Sequence, residues 1–297
     1  MLFRLLLVTG VSLGLLIAAH AAPPQQTLAL RDAVNPALQA KLEERLQRLN
    51  LESAVRSRQL AVSLVDITDP AKPRLAHVNG HDMMYAASLP KIAILLAAFE
   101  RIHEGKLPLD AENRRLMTDM IRRSSNTAAT EMIRRVGPEY INELLRSPKY
   151  RLYDANMNGG LWVGKEYGRG AAYQRDPLHN LSHGATAFQV ARFYYMLETG
   201  RLVSPELSRE MKGMLGDPGI RHKFVQGLLA GAPEARVYRK SGTWREWHAD
   251  SAIVEHAGRT YIAVALARNP NGGEWFTNLI VELDRIITGQ PVRHAGL

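Results

Sequence analysis

The 297-residue chain contains no cysteine. That excludes disulfides, thiolate nucleophiles, Cys-ligated zinc, iron–sulfur clusters and a lipid-modified N-terminal Cys. Aromatic residues make up only 7%, and the pairs Arg122-Arg123 and Arg134-Arg135 have none interleaved, so nucleic acid is not an expected partner. The formal charge of +9 is not gathered into any run of like charges and belongs to a folded surface. After residue 22 no stretch is apolar enough for the roughly 20 residues of a spanning helix. The histidines are scattered without ligand spacing, so no metal and no other cofactor is expected. There is no internal repeat and no low-complexity linker. What remains is ordinary globular composition, 46% hydrophobic and 23% charged, in a chain long enough for one large core or two lobes.

The one long apolar run lies at the start. Arg4 precedes Leu5 to Ala19, and the small-residue pattern Ala19-His20-Ala21 follows. This is the layout of a secretory signal peptide over residues 1–21, cleaved after Ala21. The run is broken by Thr9 and Ser12 and is short for a spanning helix, which makes an uncleaved anchor the weaker reading. The expected product is exported, periplasmic or secreted, and its positive charge favours anionic envelope surfaces. A G-x-S-x-G pattern over residues 10–14 falls inside this segment with no strand before it and carries no nucleophile.

The rest, residues 22–297, reads as one catalytic domain. Asn35-Pro36 opens an amphipathic helix with Leu38, Leu42, Leu46 and Leu49 at helical spacing. Leu60 to Ile67 and Arg74 to Val78 form a hairpin. Helices are predicted from Ile92 to Ile102, Asp110 to Ile121, Thr127 to Val136, Ala185 to Glu198 and Pro205 to Leu215. Residues 148–183 show no sustained period and read as a long irregular loop, a feature that usually carries function in a compact domain. Strands at Arg236 to Ser241, Ser251 to Glu255 and Tyr261 to Ala267 precede a closing helix over about 274–287. The expected fold is α/β plus an all-α lobe. A five-stranded antiparallel sheet flanked by the terminal helices (about 35–85 and 218–290) meets a helical lobe (about 88–215) at a crevice suited to a site.

Three motifs, each occurring once, fall in order: Ser88-Leu89-Pro90-Lys91, Ser124-Ser125-Asn126 and Lys240-Ser241-Gly242. Ser88 sits at a predicted helix start, and Lys91 follows three residues on, one turn deeper on the same face, where its nitrogen can touch the hydroxyl. A serine hydroxyl needs a base, and a lysine in a partly apolar site beside another cation loses enough basicity to be one. Ser124, between two helices, can pass a proton to a leaving nitrogen, and Asn126 can hold a carbonyl. Lys240 adds positive potential beside Ser124, Ser241 can bind a carboxylate, and Gly242 lets a flat substrate lie against the backbone. The N–H groups of Ser88 and Thr243 would form an oxyanion hole. Taken singly, Ser88 is an ordinary N-cap, Ser124-Ser125-Asn126 an ordinary helix start and Lys240-Ser241-Gly242 an uninformative tripeptide. The following Trp244 to Asp250 reads as cleft rim and strand turn, its two Trp rings serving as substrate walls, in preference to a metal site.

In this order and setting the motifs resemble those of the penicillin-recognising serine enzymes, and within them the class A β-lactamase-like proteins. Ser124-Ser125-Asn126-Thr127-Ala128-Ala129 followed by Val136-Gly137 resembles the family's S-D-N-T-A-A-N stretch ending at its Gly. The helix from Ala185 to Glu198, with Gly200 and Leu202, is similar to the helix after the Ω-loop. The resemblance covers roughly residues 58–290 and implies a β-lactamase/transpeptidase-like fold. It implies Ser88 as acylated nucleophile, Lys91 as base or proton relay, and Ser124 as shuttle to the leaving nitrogen. Asn126 would bind an acyl side-chain amide, and Lys240 and Ser241 a substrate carboxylate. The implied activity is a serine hydrolase acting on a small-molecule β-lactam through an acyl-enzyme. A penicillin-binding peptidase or esterase of cell-wall peptides, or a non-catalytic module that holds peptidoglycan or β-lactam, is the alternative. A monomer is expected. Two departures stand out. The stretch from Ser88 to Ser124 is short, and residues 147–187 hold no E-x-x-L-N. The acids there are Asp154, Glu166 and Asp176; Glu166 is the candidate water-activating base, with Gly170 where the family has Asn. Weak deacylation follows from that departure.

Overall fold

The computed structural model describes residues 29–289, so the expected signal peptide at 1–21 lies outside the described residues. Asn35 caps the first helix as its sequence predicts: its Oδ1 accepts from the Leu38 N–H at 2.9 Å, and Pro36 takes the first helical position. In chain order the elements are α1 (Pro36–Arg48), α2 (Glu52–Arg56), β1 (Leu60–Asp66), β2 (Arg74–Val78), β3 (Met84–Tyr85), α3 (Lys91–His103), α4 (Ala111–Arg122), α5 (Asn126–Val136) and α6 (Pro138–Arg146). There follow β4 (Tyr153–Asp154), β5 (Gly159–Gly160), β6 (Trp162–Val163), β7 (His183–Ala185), α7 (Ala187–Glu198), α8 (Pro205–Leu215) and α9 (Phe224–Gly231). The chain closes with β8 (Arg236–Trp244), β9 (Trp247–His256), β10 (Arg259–Arg268) and α10 (Gly272–Thr288).

The predicted five-stranded antiparallel sheet is present in the order β2-β1-β10-β9-β8. Its strands alternate between two cores. Val62, Leu64 and Ala263 face α1, α9 and α10, whereas Ala61, Val65 and Ile262 face the helical part through α3 and α7. Both faces of the sheet are therefore covered, which is why β1 reads as one apolar run and is buried at every position. The strand carrying Lys240-Ser241-Gly242, β8, is left at the sheet's edge. Helix α3 is buried from Lys91 to Glu100. A helix apolar all round is a central one, and this one takes a lysine into the interior with it.

Besides the short α2 and β3, which the sequence did not announce, three stretches differ from the sequence expectation. A helix, α6, follows Gly137 directly, because Pro138 at its first position opens a helix as readily as the preceding Gly ends one. The strand-poor stretch before β8 contains α9, whose Gly227 lets it lie against α10: a Cβ there would come 2.2 Å from the Thr277 carbonyl oxygen. Residues 148–183 are irregular in outline but pinned by β4 to β7, with β6 and β3 both paired to β7.

The far end of the sheet holds a buried ionic cluster. His256 Nδ1 lies 2.9 Å from both Asp284 oxygens, Nε2 lies 3.2 Å from Glu234, and the Tyr261 hydroxyl donates to Asp284. Burial alone would lower the His256 pKa, but the bonds and charges of Asp284 and then Glu234 outweigh it, and the net shift is upward. A raised histidine stabilises the fold fully below its unfolded value near 6.5 and loses that contribution as pH rises through the folded value. Asp284→Asn is accordingly expected to cost about 2 kcal/mol at pH 6 in urea unfolding. The difference from the parent should narrow at pH 9; an equal loss at both pH values would contradict the charge assignment.

Candidate active site

The three motifs converge. Ser88 lies in the turn ahead of α3, which starts at Lys91 with Pro90 as its N-cap, so the nucleophile candidate precedes the helix rather than opening it. The turn is tightened by hydrogen bonds from Leu89 N–H to Ala86 O and from Lys91 N–H to Ser88 O. Ala87, just before Ser88, has φ of 49°, a left-handed backbone that a non-glycine residue adopts at a cost. Ser88 itself is half-buried. Strand β8 presses directly on this turn: a Cβ on Gly242 would lie 2.3 Å from the Ala86 carbonyl oxygen and 2.8 Å from the Ser88 nitrogen. Gly242 is thus required by contact with the chain's own Ser88 turn, whereas the sequence assigned it to the substrate.

Ser124 completes the convergence. Its φ of 54° turns it out of the end of α4, while its neighbour Ser125 caps α5 by accepting from the Ala128 N–H at 3.1 Å. The two serines divide the work that the sequence left ambiguous: one caps, the other faces the cleft. Ser124 Oγ lies 3.0 Å from Lys240 Nζ and 3.3 Å from Lys91 Nζ. A hydroxyl that accepts from two ammonium groups has its own hydrogen left for a third partner, which is the arrangement a shuttle to a leaving nitrogen needs.

Lys91 is fully buried, and Nζ donates to Ser124 O at 2.6 Å, to Asn126 Oδ1 at 2.8 Å and to Ser124 Oγ. Among the described residues it makes no hydrogen bond to Ser88, so the expected direct contact with that hydroxyl is replaced by contacts on the α5 side. Asn126, expected to take a substrate amide, holds Lys91 through its carbonyl oxygen and is otherwise exposed. Burial pulls Lys91 down to about 7. Lys240, also buried, is held well below the usual lysine range, by burial first and then by Lys91 and Arg239, against the pull of Asp250. Its Nζ is steadied by the Ser241 carbonyl at 2.7 Å. Ser241 is buried within β8, opposite Asp250.

A third lysine completes the cationic set, and the sequence reading missed it. Lys223 has φ of 56°, is buried, and donates to Gly242 O at 2.7 Å, Thr243 Oγ1 at 2.8 Å and Ala249 O at 3.2 Å. Burial lowers it to about 8, with Asp250 opposing and Arg239 adding to the shift. Because a trans peptide is planar, a Gly242 carbonyl held by Lys223 directs the Thr243 N–H away from that ammonium. Lys223 is itself placed by a buried pair. Arg239 grips Asp250 through two bonds of 2.8 and 2.7 Å and also donates to the carbonyls of Ile220 and His222, and Asp250 accepts from the Phe224 N–H. Of the two rim tryptophans, Trp244 is 56% exposed at the β8–β9 turn, while Trp247 packs against Tyr85 and under Arg268. Only Trp244 is placed as a wall facing solvent.

The loop side of the cleft is aromatic. The Tyr167 ring lies 4.4 Å from Lys91 Nζ and stacks on His183 with centroids 4.3 Å apart and planes at 5°. The Tyr167 hydroxyl donates to Ala87 O, and its N–H donates to Thr130 Oγ1. Burial raises Tyr167 well above 10 and, helped by Lys165 and Lys91, lowers His183 to about 3, so both rings are neutral. Glu166, the candidate base, points the other way: both its oxygens are taken by Arg134 at 2.7 and 2.8 Å on the exposed surface. The neighbouring residue, Tyr167, reaches the cleft instead, in a bend closed by the Gly168 N–H to Glu166 O hydrogen bond. Asp176 accepts from Tyr153 OH and the Leu178 and His179 N–H groups, and Asp154 caps a turn and faces Arg151. None of the three acids of the loop faces Lys91.

Comparison with known proteins bears on the family and the fold. The model of the beta-lactamase enzyme family matches residues 41–114 and 111–289. No curated protein matches. Among solved structures, the fold is similar to the β-lactamase from Sphaerobacter thermophilus, with a TM-score of 0.62 at 18% identity over 79% of this chain and 95% of that one. It is similar to a mutant of PBP-A solved as an acyl-enzyme complex with penicillin G, at TM-score 0.62 and 17% identity over 89% and 97% of the two chains. It is also similar to a variant of the last common ancestor of Gram-negative class A β-lactamases, at 0.62 and 21% over 84% and 97%. At such identities structural likeness establishes the fold, whereas the family match spans most of the sequence itself. The chain belongs to the beta-lactamase enzyme family and is a serine hydrolase.

Proposed function

We propose that the protein is exported and forms an acyl-enzyme on Ser88 with a β-lactam, or with a related amide bearing a nearby carboxylate, and that it releases the acyl group slowly. The observation that carries this reading is the pairing of a Lys91–Ser124–Lys240 cluster beside the Ser88 turn with a loop that offers Lys91 a tyrosine ring and no carboxylate. For acylation, neutral Lys91 accepts the Ser88 proton. Ser124 gives its hydrogen to the leaving nitrogen and is recharged through the two lysines on its oxygen. The N–H groups of Ser88 and Thr243 stabilise the oxyanion, the latter held in its peptide plane by Lys223. The Thr243 hydroxyl accepts from Lys223, so its own hydrogen is available to a substrate carboxylate. For deacylation, a water must lose a proton to a base beside the ester. Tyr167 and His183 close that side with rings that are neutral and poor proton acceptors. A carboxylate-bearing peptide of the cell wall fits the same machinery and is the second substrate class.

The lifetime of the adduct tests this. After labelling with benzylpenicillin and removal of the free drug, the mass increment on the protein is expected to persist for hours. Loss within seconds would contradict slow release while leaving acylation of Ser88 intact.

A further inference from the structure

A cavity of about 290 Å³ lies between α7, the stretch from Lys149 to Met157 and the chain leading into α1. None of the catalytic residues lines it. Its floor is apolar, with Phe188 and Tyr195 buried, and its rim carries Arg31, Lys149, Arg151, Arg192 and Arg201. Carboxylates do not balance them. Lys149 pairs with Glu100, whereas Arg151 and Arg31 stand 3.8 Å from Asp154 and Asp32. With all three acids counted, two positive charges remain. Among the described residues Arg192 and Arg201 have no carboxylate within ion-pair distance.

Both unpaired guanidinium groups are held in place. Arg192 donates to the Arg151 carbonyl and Gln189 Oε1 at 2.6 Å each and to the Tyr150 carbonyl at 3.2 Å. Arg201 donates through Nε to Thr199 Oγ1 at 2.8 Å and lies over the Tyr195 ring. Burial depresses Arg192, and the charges of Arg201 and Arg31 add to it, so the site holds a like-charge repulsion that a bound anion would relieve. Several guanidinium groups lining one cavity suit the several oxygens and multiple charge of a phosphate better than a single planar carboxylate.

We propose that this cavity binds a multiply charged phosphate group, of the phosphate-ester or pyrophosphate class, at a site separate from the acylation cleft. The test is calorimetric titration of the purified protein at low salt with inorganic pyrophosphate, with citrate and with phosphatidic acid vesicles, whose headgroup is a phosphomonoester. Saturable binding of pyrophosphate is expected, weakened at least tenfold by Arg201→Gln and further by Arg31→Gln/Arg201→Gln, and unaffected by Arg169→Gln on another surface. Vesicle binding that follows the same variants assigns the phosphate to a lipid headgroup; pyrophosphate binding without vesicle binding assigns it to a soluble ligand. Absence of saturation, equal affinity for citrate, or an equal loss in Arg169→Gln would overturn the proposal. Penicillin acylation in the same variants should match the parent, so the two readings stand or fall separately.

Discussion

Gly242→Ala is expected to reduce acylation by penicillin at least a hundredfold while the protein still folds. The added methyl would sit 2.3 Å from the Ala86 carbonyl oxygen and 2.8 and 2.9 Å from the Ser88 and Leu89 nitrogens. These are backbone atoms, and no side-chain rotation relieves the clash. Either β8 or the turn must move by about 1 Å, a displacement that costs a reacting constellation about a hundredfold. The turn has little freedom to give, being already strained at Ala87 and tied to Tyr167 through the Ala87 carbonyl. The stability cost of overpacking is about 1–3 kcal/mol, enough to lower the melting temperature without abolishing the fold. Rates of adduct formation from stopped-flow or quenched mass measurements decide the matter. A variant that acylates at the parental rate would show that the Ala86–Leu89 turn does not set the geometry of Ser88.

Lys91→Met should reduce acylation by about a thousandfold, within the range general-base removal usually costs, and should leave the melting temperature unchanged or higher at pH 6. The two effects share one cause. Burial holds Lys91 near 7 against an ordinary value of 10.5, so folding disfavours its charged form. The penalty is fully present below pH 7 and is relieved as pH rises toward the unfolded value. It is on the order of 5 kcal/mol, partly offset in the variant by the loss of three hydrogen bonds that Nζ donates. In the parent, acylation should climb through pH about 7 and level off above it as the neutral amine accumulates. The variant should lose that rise. A marked drop in melting temperature, or a parental pH profile in the variant, would remove Lys91 from the role of base.

How much of this was legible in the sequence depends on how local each signal is. The cap at Asn35-Pro36, the helical spacing of Leu38, Leu42 and Leu46 and the buried strands read directly, because each is set by neighbours along the chain. Helix α6 was hidden by Gly137, whose stop signal masked the start signal of Pro138, although Ile141, Leu144 and Leu145 carry a helical spacing. Helix α9 was hidden by its two glycines, which have poor helix propensity and are explained only by the approach of α10. The three site motifs were legible as tripeptides and tetrapeptides in order. The contacts that give them meaning join residues more than thirty positions apart, as between Lys91 and Ser124 and between Lys240 and Ser124. Lys223 and the Tyr167–His183 stack had no signal at all, since each is a single residue placed by distant chain.

Exposure of the protein to benzylpenicillin followed by intact mass spectrometry, with Ser88→Ala in parallel, addresses the central claim most directly. One equivalent of added penicillin mass on the parent and none on the variant is the expected result, with the label mapped to the peptide containing Ser88. An unlabelled parent under conditions where the fold is intact, or a variant labelled as fully as the parent, would contradict the assignment of Ser88 as the acylated residue.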